Sequence, residues 1–242
     1  MGILPAFRPA LVVDLDDTLL HDEPEAIAVQ GRSGFRYLSA TAANLLRQIS
    51  SSLPPVIATA RNAQSVKRLV DQLPEVRFGG FVMENGLVAR TRVLSTVRRS
   101  NPWQTIADTL SDWEQLRGYE SCLGLIPPRS LRDAKEILAE VLLKSGLPGQ
   151  IYVDRHKLFI YPCMPGKLTG VRSLQFQPWV ALGDGLNDLE TLRASRYVAT
   201  LSTADEAIKR LVILKGGYCS PRTSHAATED LLSWVLKVIR TH

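Results

Sequence analysis

Cysteine is scarce in this chain: 242 residues hold three, Cys122, Cys163 and Cys219. They lie far apart with no CxxC pair, which excludes a disulfide framework and a structural zinc site and points to reduced thiols in the cytoplasm. No apolar run approaches the roughly 20 residues of a membrane span. The stretch before Asp14 is too short to read as a signal peptide, and Ala6 stands where an acylation signal after Gly2 wants Ser or Thr. Positive charge is nowhere concentrated. The net charge is +5, yet no run of Lys and Arg is longer than two residues, as at Arg98-Arg99. Such scatter argues against nucleic acid and for a small anionic partner. Repeats and low-complexity tracts are absent too.

What is present is alternation of apolar runs with helical patterns. Ala10-Leu11-Val12-Val13 is a continuous apolar run, as in a parallel strand buried on both faces. It runs into Asp14, Asp16 and Asp17. The segment His21–Ser39 is polar and reads as a loop or flap. A helix is expected over 42–51, stopped by Pro54-Pro55, then a strand at 56–59. Next comes a helix over 63–73, with Val66, Leu69, Val70 and Leu73 on one face, then a strand at 81–83. Strand, helix, strand, helix, strand predicts an α/β fold with a doubly wound, Rossmann-like parallel sheet.

The pattern changes after Asn85-Gly86. Leu87–Val93 alternates like a half-exposed strand. Expected next are a helix over 102–116 carrying Trp103 and Trp113 into a core, and a strand at 122–126. A helix over 131–144 follows, capped by Ser130. Two strands, 151–153 and 158–161, then flank Asp154-Arg155-His156-Lys157, a charged turn that is either solvated or faces an anion. This β-α-β-α-β-β block reads as an inserted α/β domain, residues 86–161, within a core of 1–85 and 162–242. The doubly wound pattern then resumes, with strands expected at 179–182, 197–201 and 212–214. Helices are placed over 204–210 and 229–240. Arg222 and His225 fall in the loop after the last strand.

Four polar signatures stand just beyond apolar strands or at a helix start: Asp14-Leu-Asp16-Asp-Thr18, Thr59, Lys167 and Gly183-Asp184-Gly-Leu-Asn187-Asp188. In open α/β sheets ligands sit at the carboxyl ends of the strands. Carboxylates gathered on one loop repel one another and invite a hard cation; the alternative is a solvated acidic turn with Thr18 as a cap. Lys167 offers a point charge for phosphate. A carboxylate can itself attack a phosphoryl group whose charge is neutralised. Thr59 alone reads as a helix cap, and Arg61 as a surface or structural arginine.

Taken in order, these four stretches resemble the motifs of the haloacid dehalogenase superfamily of phosphohydrolases: DxDxT, a Ser/Thr, a Lys, and GDxxND. The long interval from Thr59 to Lys167 resembles the place of that superfamily's class II cap. The β-α-β-α-β-β reading resembles its IIB subtype, that of Cof-like, sucrose-phosphate and trehalose-phosphate phosphatases and phosphomannomutases. Thr59-Ala60-Arg61 and Glu84-Asn85-Gly86-Leu87 resemble that subgroup's TGR and NGA stretches, with Ala60 in place of glycine. The resemblance implies that Asp14 is the nucleophile, and that Asp16 is the acid and base, its carbonyl on Mg2+. It implies that Thr59 and Lys167 clamp phosphate, with Asn187 beside them orienting its loop, and that Asp14, Asp16, Asp184 and Asp188 form the magnesium site. Asp17, where many relatives have glycine, receives no role. The implied activity is Mg2+-dependent hydrolysis of a small phosphorylated metabolite, a sugar or polyol phosphate. The alternatives are phosphomannomutase-like transfer to another hydroxyl and a non-catalytic phospho-ligand-binding protein.

Overall fold

A computed structural model describes residues 7–31, 34–92, 102–128, 130–154 and 156–241. The chain forms two compact units. One comprises Met1–Arg61, Ser65–Val93 and Gly166–His242; the other comprises Asn62–Gln64 and Leu94–Pro165. Among the described residues no helix is long and apolar enough to cross a membrane.

The chain opens with β1 (Arg8–Val13), a hairpin of β2 (Ile27–Gln30) and β3 (Phe35–Leu38), and α1 (Ala40–Ser50). Next come β4 (Pro55–Ala58), α2 (Ala63–Val70), β5 (Gly80–Met83) and β6 (Val88–Arg90). The interrupting segment contributes α3 (Gln104–Thr109), β7 (Glu114–Leu116), β8 (Leu123–Ile126), α4 (Leu131–Ser145), β9 (Gln150–Asp154) and β10 (Lys157–Tyr161). The chain then returns through α5 (Lys167–Ser173), β11 (Phe176–Leu182), α6 (Leu189–Ala194) and β12 (Tyr197–Leu201). It ends with α7 (Glu206–Leu214), β13 (Tyr218–Ser220) and α8 (Ser224–Thr241).

Seven strands form the first unit's sheet in the order β13-β12-β11-β1-β4-β5-β6, parallel except for β6. Ala10, Leu11, Val12 and Val13 are all buried. That is what a strand flanked by two others and covered on both faces requires. Val13 lies in register with Leu182 on one side and Ile57 on the other. The residues that follow each of these strands therefore emerge side by side. Ser39 caps α1 by accepting from Ala42 N, and Ala42, Leu46 and Ile49 turn inward.

The second unit has an antiparallel sheet of order β7-β8-β10-β9. Leu123, Leu125, Leu158 and Ile160 alternate onto one face, where Ile106, Ala134, Leu138 and Leu142 of α3 and α4 bury them. Ser130 caps α4 and Gly146 ends it at φ 66°.

Several expectations are corrected. The alternating strand expected to open the insert is β6, the antiparallel edge of the seven-stranded sheet; Val93 lies outside the described residues. Among the described residues the block in the insert therefore runs α-β-β-α-β-β. A half-exposed pattern fits an edge strand of either sheet, and periodicity does not say which. The helix expected over 102–116 ends at Thr109, and Glu114–Leu116 is a strand. Trp103 and Trp113 are buried but lie outside that helix, Trp103 donating Nε1–H to Pro148 O at 2.9 Å.

Val212-Ile213-Leu214 is the last turn of α7, not a strand. Its apolar run is misleading: Val212 is buried with Ile208, while Leu214 is 85% exposed. The last strand comes after the Lys215-Gly216-Gly217 turn. His225 is in the first turn of α8, and only Arg222 remains in a loop. The polar segment 21–39 contains the β2–β3 hairpin. Arg155, in the charged turn, lies outside the described residues.

Candidate active site

Asp14 leaves β1 with its backbone N–H donating to Leu182 O at 3.1 Å, so the sheet ladder runs up to the carboxylate. Gly183 and Asp184 leave β11 beside it. Lys167 begins α5 behind a Gly166 cap, and its Nζ lies 2.7 Å from Asp14 Oδ1 and 2.7 Å from Asp188 Oδ1. One oxygen each of Asp14, Asp184 and Asp188 falls within a mutual 4.8 Å. Asp188 folds back over the strand end and accepts from Gly185 N at 3.1 Å. Only glycine at 183 allows this, because a Cβ there would stand 2.5 Å from Asp188 Cγ.

The electrostatics follow from counting charges. Three carboxylates share one ammonium, and all but Asp184 are buried. Burial pushes the Asp14 carboxyl well above the usual carboxylate range; Lys167 offsets this in part, and Asp188 and Asp184 add to it. Burial likewise raises Asp184 to about 6, with the Asp188 charge adding and the Thr18 hydroxyl opposing. Burial alone would pull Lys167 down, but the carboxylates of Asp14 and Asp188 outweigh it and hold the proton more firmly than in water. The cluster is short of positive charge.

Thr18 is wholly buried and donates Oγ1–H to Asp184 Oδ1 at 2.9 Å. Its carbonyl accepts from Thr228 Oγ1 of α8 at 2.7 Å. That hydroxyl has one proton to give, so it accepts from His21 Nε2, also at 2.7 Å. Burial first, then the neighbouring His225, lowers the His21 pKa to about 4, consistent with a neutral ring.

Thr59 follows β4 directly and is buried, its hydroxyl accepting from Arg61 N at 3.1 Å. Asp16 is not one of the three clustered carboxylates and is held by arginine instead. Both its oxygens meet Arg61, through Nε at 2.7 Å and Nη2 at 2.6 Å. Arg36 on β3 reaches the same loop: it pairs with Asp17, donates to Leu20 O at 2.8 Å and pairs with Asp22 at 2.9 Å. Asn187 donates Nδ2–H to Asn85 Oδ1 at 3.1 Å.

The structure therefore gathers Asp14, Lys167, Asp184 and Asp188 in one ion cluster. It puts Thr59 on the neighbouring strand end, Asn187 on the Asp184 loop, and Asp16 against an arginine. Reading the sequence did not foresee Arg36, Thr228 or the pairing of Arg61 with Asp16. Arg61 carried a signal, two residues beyond Thr59 in a Thr-Ala-Arg stretch; Arg36 and Thr228 carried none.

Neither a family model nor a curated protein matches the sequence. Solved structures do. A protein of Thermoplasma acidophilum superposes at a TM-score of 0.69 and 15% identity, covering 98% of this chain and 100% of its own. A haloacid dehalogenase-like hydrolase from Bacteroides thetaiotaomicron does so at 0.69 and 13%, covering 95% and 99%. The fold is that of the haloacid dehalogenase-like hydrolases. The sucrose-phosphatase of Synechocystis, solved with sucrose and phosphate, shares this haloacid dehalogenase-like fold at a TM-score of 0.56 and 16% identity, covering 97% and 98%.

Proposed function

We propose that this chain is a Mg2+-dependent phosphatase of the haloacid dehalogenase type, acting in the cytoplasm on a small phosphorylated metabolite such as a sugar or polyol phosphate. The observation that carries the reading is the buried Lys167 bridging Asp14 and Asp188, with Asp184 completing the carboxylate group. These residues suit a hard divalent cation: the donors are all carboxylate oxygens, close enough to share an ion, in a cluster short of positive charge. Bound there, Mg2+ would neutralise charge on the phosphoryl oxygens. Asp14, Asp184 and Asp188 would hold it, with the Asp16 carbonyl.

The chain's own residues divide the remaining work. Lys167 and Thr59 bind phosphoryl oxygens and orient phosphorus toward Asp14, with Asn187 steadying the adjoining loop. An Asp14 oxygen attacks phosphorus, and the bond to the leaving oxygen breaks. Asp16 hands that oxygen its proton, so an alcohol leaves and an aspartyl phosphate remains. Asp16, now a carboxylate, takes a proton from water as the water attacks phosphorus, releasing phosphate and restoring Asp14. All three thiols are free, as suits a reducing compartment.

The test is a panel of phosphate monoesters, with an activated aryl phosphate among them, assayed with Mg2+ and with a chelator. Metal-dependent release of inorganic phosphate is expected. No turnover of any ester overturns the reading.

A further inference from the structure

The stretch Glu84-Asn85-Gly86 has no part in the mechanism above, yet it touches three of the loops that do. It leaves β5 with φ of 51°, 55° and 107° at three successive residues. Asparagine enters the left-handed region readily, but glutamate does so only where surrounding contacts enforce it. Those contacts are specific. Glu84 N donates to Arg61 O and Asn85 N to Thr59 O, each at 3.0 Å. The Asn85 side chain, buried to 2% exposure, accepts from Asn187 at 3.1 Å.

Gly86 lies against the start of the Lys167 helix. A Cβ at Gly86 would stand 2.1 Å from Gly166 O, 2.5 Å from Gly166 C and 3.1 Å from Lys167 N. These are backbone atoms with nowhere to go. One turn on, a Cβ at Gly170 would meet the Gly86 Cα at 3.1 Å and its O at 3.2 Å. The two backbones therefore cross at a distance that any side chain would increase.

We propose that Asn85 and Gly86 are positioning residues of this site: Gly86 sets where Lys167 stands, and Asn85 ties the Thr59 loop to the loop bearing Asp184, Asn187 and Asp188. Lys167 Nζ makes both its ion pairs at 2.7 Å, so pushing its helix start outward stretches both. Releasing Asn187 loosens the residue next to Asp188, one of the two carboxylates that hold Lys167. The inference rests on the phosphatase reading for what the site binds, not for how Lys167 and Asn187 are held.

Asn85→Gly removes the amide while keeping a residue that accepts positive φ; Gly86→Ala adds the obstructing methyl group. In metal-free protein, amine acylation is followed at each lysine by peptide mass spectrometry, with alkylation of Cys219 on β13 reporting general loosening. Lys167 should label about tenfold faster in both variants, the effect of losing one buried hydrogen bond or ion-pair geometry, while Cys219 is unchanged. Asn187→Ala should match Asn85→Gly, and the double variant should add nothing further. The midpoint of Mg2+-dependent thermal stabilisation should rise about tenfold in Asn85→Gly.

Wild-type labelling of Lys167 in both variants overturns the proposal, as does a rise that Cys219 shares. An unmoved Mg2+ midpoint in Asn85→Gly, when the wild type responds to Mg2+, overturns it too. A wild type with no Mg2+ response defeats the metal reading instead and leaves the labelling to decide about the turn. Should Gly86→Ala not fold, the labelling of Asn85→Gly and Asn187→Ala decides the question.

Discussion

Arg61 grips Asp16 by both prongs of its guanidinium, Nε 2.7 Å from Oδ2 and Nη2 2.6 Å from Oδ1. The planar fork fixes the carboxylate's plane as well as its place. Asp16 lies two residues from Asp14 but is aimed by a residue from the β4–α2 loop. Arg61→Ala should therefore slow alkyl phosphates by a further 10- to 100-fold or so relative to an aryl phosphate, because only poor leaving groups need the proton. Arg61→Lys should not restore the rate, since an ammonium cannot make the fork. Equal slowing of both ester classes in steady-state assays would contradict this role.

Asp14→Asn should abolish turnover of every ester and any acid-stable trace of phosphoenzyme. Asp16→Asn should damage alkyl phosphates far more than aryl phosphates in the phosphorylation step. It should also slow hydrolysis of the aspartyl phosphate, so that an aryl ester gives a burst. Rapid-quench kinetics distinguish the two variants. An active Asp14→Asn would refute the assignment.

Lys167→Met replaces a side chain that is 1% exposed and leaves Asp14 and Asp188 without their cation. Removing one partner of a buried ion pair costs about 3–5 kcal/mol. That loss should appear near neutral pH in denaturant titrations. It should shrink as the medium is acidified, because the carboxylates can then protonate. A stability loss that does not depend on pH would argue that packing, not charge, was removed.

Asp184 titrates near 6 in the folded chain against an ordinary value of 3.8. A raised carboxyl holds its proton more tightly folded than unfolded. Its contribution to stability is therefore full below 3.8 and is lost as pH climbs through 6. A divalent cation competes with that same proton. Apparent Mg2+ affinity, measured calorimetrically, should rise from about pH 5 to about pH 7 and then level, with protons released on binding. A flat profile would contradict the assignment of Asp184 to the metal.

The candidate site was legible because its residues are tied to local pattern. Asp14 and Asp184 each follow an apolar run that only a doubly buried strand explains, and Thr59 follows a shorter one. Parallel neighbours in register must deliver such residues to one edge. Lys167 was legible from its place at a helix start, behind the Gly166 cap. Spacing along the chain sufficed for these, because strand ends and helix starts are local events.

The sequence by itself determined that buried strands alternate with amphipathic helices, which strand ends carry carboxylates, and that a second α/β block interrupts the first. Tertiary structure decided which sheet receives Val88–Arg90, because an alternating strand fits any edge with one face covered. It decided that Val212–Leu214 winds into α7, because an apolar run of three has no period of its own. Only the folded chain shows Arg61 on Asp16, Thr228 under Thr18, and Gly86 against Gly166. Those contacts join residues from 45 to 210 positions apart in the first two cases. Periodicity records which face of an element is buried; what covers that face is settled only when the elements pack.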